Sequence, residues 1–179
     1  MITRTHTSDD GTVSHAVYTD CERYRYVLTR QWEESSCNRA VFIGLNPSTA
    51  TEYQNDPTVA RCINYAKAWG HDSMTMLNAF AFRSTDPKGL KTIDDPVGPA
   101  NDRYILKQCR EASQIILCWG THAEHLNRGL NLLAKLNKLD LELSCLKITK
   151  HGHPSHPLYL KKSLLPLPYA PERTLSSSD

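Results

Sequence analysis

Four short stretches concentrate the residue types that can do chemistry. Asn46-Pro47-Ser48 closes the apolar run of "VFIGLNPSTA" (41–50), and Asn78 sits within "MLNAFAF" (76–82). Trp119-Gly120-Thr121-His122 ends another apolar run, and "HGHPSHP" spans 151–157. Together they supply carboxamides that both donate and accept, hydroxyls, an indole and imidazoles. A carboxylate follows at Asp56, with Tyr53 in the same connection. Asp56-Pro57 ahead of Val59, Cys62, Ile63 and Ala66 reads as a helix N-cap with proline at N1, and a capping carboxylate can also serve as a base. Ser48 with one of the histidines is a nucleophile pair in principle. That reading ranks last, because it also needs an orienting acid and an oxyanion site that sequence does not display.

The elements that must position these residues follow a strand–helix rhythm. "AVFIGL" (40–45), "SMTMLNAFAF" (73–82), "SQIILCWG" (113–120) and "SCLKITK" (144–150) are nearly continuous apolar runs, as strands covered on both faces are. Helical stripes occupy the stretch after Pro57 and those near 100–112 and 122–136. "HAVYTDCERYRYVLTRQW" (15–32) reads as an antiparallel hairpin turning at "TDCER". The expectation is a single domain over 1–170: a three-layer α/β/α fold with a central, mainly parallel four-stranded sheet, extended at an edge by the hairpin. Residues 171–179 read as a disordered tail. Ligands of parallel sheets sit beyond the carboxyl ends of the strands, where all four stretches would meet.

Composition narrows the class. The 179 residues carry 21 Lys and Arg against 19 Asp and Glu, a net charge of +2, too little by itself to imply a nucleic-acid partner. Six cysteines without a CxxC pair point to a reducing, cytoplasmic setting and away from a metal or iron–sulfur site. No apolar stretch approaches membrane-spanning length. A monomer with no cofactor and no membrane contact is expected.

From about 24 to 160 the chain resembles uncharacterised bacterial and phage proteins with "LNPSTA…DPT…RC", "DP.GP.ND" and "HPLYL" signatures. Four of its motifs, "GLNPS", "MLNAFAF", "CWGTHA" and "HPSHPL", also resemble the uracil-DNA glycosylase superfamily in order and in position at strand ends. The second resemblance implies a uracil-DNA-glycosylase-like fold. It implies that the loop of Asn46, Pro47 and Ser48 positions an attacking water, and that Asn78, with Phe80 beside it, reads a base. Trp119 would close a strand, Ser155 would grip the DNA backbone, and Leu158 would fill the vacated stack. The pattern leaves His153 and His156 as alternatives for the catalytic imidazole.

The residues suit that chemistry. Cleaving an N-glycosidic bond in DNA requires an extruded base, an edge-reading polar group, a held water, and stabilisation of the departing base. Asn78 offers both a donor and an acceptor to a base edge, while Asn46 can hold water but is no base. Asp56 is the nearby carboxylate, and Tyr53 can stack on a base or wall the pocket. No acid occurs from 143 to 171, where Lys150, Lys161 and Lys162 flank the histidine loop, and Arg83 opens the long connection 83–102. These four cations are candidates for phosphate contact. The expected function is a DNA-glycosylase-like hydrolase acting on a modified, damaged or foreign base of DNA. The alternative is a module of the same fold that binds nucleic acid or a nucleotide base without turnover.

Overall fold

The computed structural model describes residues 1–35 and 37–171. Strands β1 (Ile2–Thr7) and β2 (Val13–Tyr18) alternate between more and less buried residues, the pattern of a sheet solvated on one face. Strands β3 (Arg25–Gln31), β4 (Arg39–Gly44) and β5 (Ser73–Asn78) are buried along most of their length. Strands β6 (Gln114–Leu117) and β7 (Leu143–Cys145) are short, and β8 (Leu167–Pro168) is a two-residue pairing. These strands form one mixed eight-stranded sheet in the order β1-β2-β3-β5-β4-β6-β7-β8.

This topology overturns the expected three-layer fold with a central, mainly parallel four-stranded sheet. Four of the seven pairings are antiparallel: β1 with β2, β2 with β3, β3 with β5, and β7 with β8. The expectation failed because continuous apolar runs mark only strands covered on both faces. "ITRTHT" of β1 alternates threonine with Ile, Arg and His, and so reads as surface. The hairpin of β2 and β3 does extend the parallel strands at an edge, with β3 bonded directly to β5 and β1 lying beyond β2. Strand ends moved too. β5 stops at Asn78 rather than residue 82, and β7 covers 143–145 rather than 144–150.

Three α-helices cover the sheet among the described residues. α1 (Pro57–Ala68) starts at Asp56, whose carboxylate accepts from Val59 N at 2.8 Å, and Gly70 leaves it at φ +80°. α2 (Asn101–Arg110) and α3 (Arg128–Asn137) follow. Successive residues of β4 divide between two apolar clusters. Ala40 and Phe42 pack with Val59, Cys62 and Ala66 of α1, whereas Val41 and Ile43 pack with Ile105 of α2 and Leu132 of α3. The expected helix over 122–136 is α-helical only from Arg128. Residues Thr121–Asn127 form a tighter turn broken at His125 and Leu126, the latter at φ +57°.

β4 pairs in parallel with β5 and β6, so the three strands end at the same edge. No helix among the described residues is long and apolar enough to cross a membrane. The expectation of a disordered tail concerns residues beyond Pro171, outside the described residues.

Candidate functional site

A cavity of about 560 Å³ opens where β4, β5 and β6 end. That volume lies within the range of small-molecule sites. Asn78 ends β5 and is 1% exposed, yet neither its Nδ2 nor its Oδ1 has a hydrogen-bond partner among the described residues. Leaving both ends of a buried carboxamide unpaired is costly unless water or a ligand pairs them, and Asn78 alone among the described residues leaves two side-chain atoms so. Its main chain is firmly fixed. Asn101 donates to the carbonyls of Asn78 and Ala79 at 2.9 and 3.1 Å, and Arg128 Nε donates to Ala79 O at 2.6 Å. Gly44 permits the close approach of β4, because a Cβ there would lie 2.6 Å from Met76 Cε and 3.2 Å from Asn78 Oδ1.

The loop from Leu45 to Asp56 forms a second wall. Asn46 Nδ2 donates to Ser84 O at 2.7 Å and to Pro47 O at 3.0 Å, which ties this loop to the long connection after β5. Its Oδ1 is the end of the carboxamide that the loop does not engage. Asp56 is buried; one carboxylate oxygen caps α1 and the other is uncommitted. Arg25, at the start of β3, reaches the same cavity, and its Nη1 donates to Ala50 O at 2.6 Å.

The third wall comes from Trp119 and the histidine loop. Gly120 N donates to Pro154 O at 2.8 Å, and Ser155 N to Lys147 O at 2.8 Å, so the loop folds back on the end of β6. Ser155, His156 and Leu158 line the cavity. Packing around His156 pushes its imidazole pKa below the ordinary 6.5, with Asp56 pulling in the opposite direction. Its ring is therefore mostly neutral at neutral pH.

Eight of the residues given a role from sequence border this one cavity: Asn46, Ser48, Asp56 and Asn78 on one side, with Trp119, Ser155, His156 and Leu158 on the other; Gly120, Thr121 and His122, which follow Trp119, border it too. The other residues given a role lie elsewhere. His153 Nε2 meets Glu124 at 2.8 Å, outside the cavity lining. Tyr53 is exposed and sits 5.0 Å from the His6 ring at a separate cavity. Phe80 is fully buried in the core against His125, and Pro47 is buried with its carbonyl accepting from Asn46 and Ser84. Arg83 lies over the Tyr18 ring and donates to Glu22 O. Lys150, Lys161 and Lys162 are exposed, and none pairs with a described carboxylate. Sequence reasoning missed Arg25, Ser84 and Thr85 as cavity residues. Arg25 fell within the stretch 15–32 read as a hairpin, and Ser84 and Thr85 within the long connection 83–102. No cluster of three or more metal-ligating side chains occurs among the described residues.

Residues 25–158 match the model of the family described as "Protein of unknown function (DUF1643)", and the chain belongs to that family. No curated protein and no solved structure matches the chain.

Proposed function

We propose that this member of the family is a DNA-glycosylase-like hydrolase whose cavity receives a base turned out of the DNA stack. One observation carries the reading: Asn78, on the cavity lining, keeps both the donor and the acceptor of its buried carboxamide unpaired among the described residues, the set that a base edge complements. The four motifs that resemble the uracil-DNA glycosylase superfamily support it, since a residue of each borders the cavity. The exposed lysines near the histidine loop are suited to the phosphates on either side of an extruded nucleotide.

In the reaction the C1′–N bond breaks and its electron pair leaves with the base. Water held by Asn46 Oδ1 adds through oxygen to C1′, and its proton passes to the uncommitted oxygen of Asp56. The products are the free base, protonated in turn by solvent, and an abasic sugar. A neutral His156 suits an N–H donor to the negative charge that grows on the departing base. A donor to charge present only in the transition state acts on turnover rather than on binding.

A non-catalytic binding module is the second reading. It is favoured by the carboxamide at Asn46, which cannot take a proton, and by the engagement of Asp56 as a helix cap. The deciding experiment incubates the full chain with single- and double-stranded DNA carrying varied bases, followed by alkaline cleavage at abasic sites. His156→Ala is expected to lower turnover by about 10²–10³ with substrate binding nearly unchanged. Asn46→Asp adds a base and is expected to raise turnover on a permissive substrate. Binding without abasic sites from wild type and Asn46→Asp on every base establishes the module instead.

A further inference from the structure

The cavity also contains a buried charge that no described carboxylate meets within ion-pairing distance. Arg25 is 2% exposed, and its only described side-chain hydrogen bond is that from Nη1 to Ala50 O. Its Nε is buried without a partner, no described acceptor takes Nη2, and no described carboxylate lies within ion-pairing distance. Burial lowers its pKa to about 10, with Tyr18 and Asp56 opposing, so the guanidinium stays charged at neutral pH. Taking such a charge out of water is strongly unfavourable unless something pairs with it. The first turn of α1 borders the same cavity, its N-terminus already capped by the Asp56 carboxylate. Asp56, His122 and His156 are the other titratable groups on the lining, and Asp56 is the one carboxylate among them.

We propose that Arg25 is an anion anchor: the ligand of this cavity brings a carboxylate or phosphate that pairs with the guanidinium of Arg25 through Nη2. A guanidinium pairs favourably with both anions. The inference rests on the reading of the cavity as a base pocket and narrows it to a base or nucleotide with an acidic group. That group has two sources, an acidic substituent on the base or the phosphate of the nucleotide. Neutral, unsubstituted bases would leave Arg25 unpaired and bind weakly.

Matched pairs of probes test this by calorimetric titration of the full chain: orotate against uracil, and uridine and guanosine against their 5′-monophosphates. Wild type is expected to bind at least one charged member about tenfold or more tightly than its neutral partner. Preference for orotate identifies a base-borne acid, and preference for the monophosphates identifies the phosphate. Arg25→Met is expected to bind charged and neutral partners alike while keeping the affinity for the neutral one. Arg25→Lys, which keeps the charge but loses the planar guanidinium, is expected to fall between, and it carries the test if Arg25→Met does not fold. Equal binding of charged and neutral partners by wild type overturns the anchor, as does a charge preference that survives both substitutions. Loss of neutral-probe binding in Asn78→Ala reports on the base pocket separately, so the anchor can fail while the pocket stands. If none of the probes binds wild type, the anchor falls, while the DNA cleavage assay still decides the enzyme reading.

Discussion

Arg25 and Arg30 lie on the same strand, both buried, and burial lowers the pKa of both. Their surroundings differ. Arg30 donates to Asn55 Oδ1 at 3.0 Å and to the carbonyls of Thr29, Thr51 and Gln54 at 3.0, 2.5 and 3.2 Å. Beside it Tyr18 donates to the buried Glu52 at 2.8 Å. On the outer side of the 45–56 loop every side-chain nitrogen of Arg30 is thus paired, although Glu52 Oε1 lacks a hydrogen bond, whereas on the cavity side Arg25 Nε and both ends of the Asn78 carboxamide are unpaired among the described residues. Burial penalises both guanidinium charges, but only Arg30 donates from all three of its nitrogens within the protein. Burial alone therefore does not distinguish the two arginines; the pairing of each atom does.

Arg30→Met should have the largest effect on that contrast. It removes four charge-assisted donations and is expected to cost roughly 3 kcal/mol, as hydrogen bonds to charged groups commonly do. For a chain of this size that lowers the melting temperature by roughly 6–12 °C. A melting curve unchanged from wild type would erase the distinction between the two arginines. Acid should act next, through the clamp behind Asn78. Burial raises the pKa of Asp102, but hydrogen bonds from Lys135 and Arg128 prevail and hold it below the ordinary 3.8. With its folded pKa depressed, Asp102 stabilises the fold fully above 3.8, and that contribution is lost as pH falls through the folded value. Chemical denaturation at a series of pH values should show this loss in wild type and a smaller one in Asp102→Asn. The smallest effect is expected for Asn78→Leu, similar in volume and free of unpaired polar atoms, whose unfolding free energy should stay within about 1 kcal/mol of wild type. A large loss would mean that the Asn78 carboxamide has a structural role after all.

How much of this was legible in the sequence depended on which groups decide each feature. Asp56-Pro57 is a local signal, and α1 starts there. The apolar runs located β4 and β6 for the same reason, since their own residues carry the pattern. β1 and the antiparallel share of the sheet escaped, because alternating threonines do not reveal whether a partner strand lies alongside. The meeting of Asn46, Asn78 and Trp119 followed from their places at the ends of neighbouring strands. Arg25 was hidden, because its burial arises from β3 lying between β2 and β5, a pairing remote in sequence. His153 and His156 were indistinguishable by spacing. The turn at Gly152, φ +83°, and the pairing of Ile148 with Pro154 aim them apart, one to Glu124 and the other to the cavity.

The central claim, that the Asn78 carboxamide meets a base edge, can be read at the atoms concerned. In a nitrogen-15 correlation spectrum the Asn78 side-chain amide is identified by its loss in Asn78→Ala, and the chain is then titrated with nucleosides, their monophosphates and short oligonucleotides. The account predicts a saturable shift of that resonance with at least one base, and loss in Asn78→Ala of the discrimination between bases. A resonance that stays fixed while other signals report binding of the same ligand, or discrimination undiminished in Asn78→Ala, would contradict it.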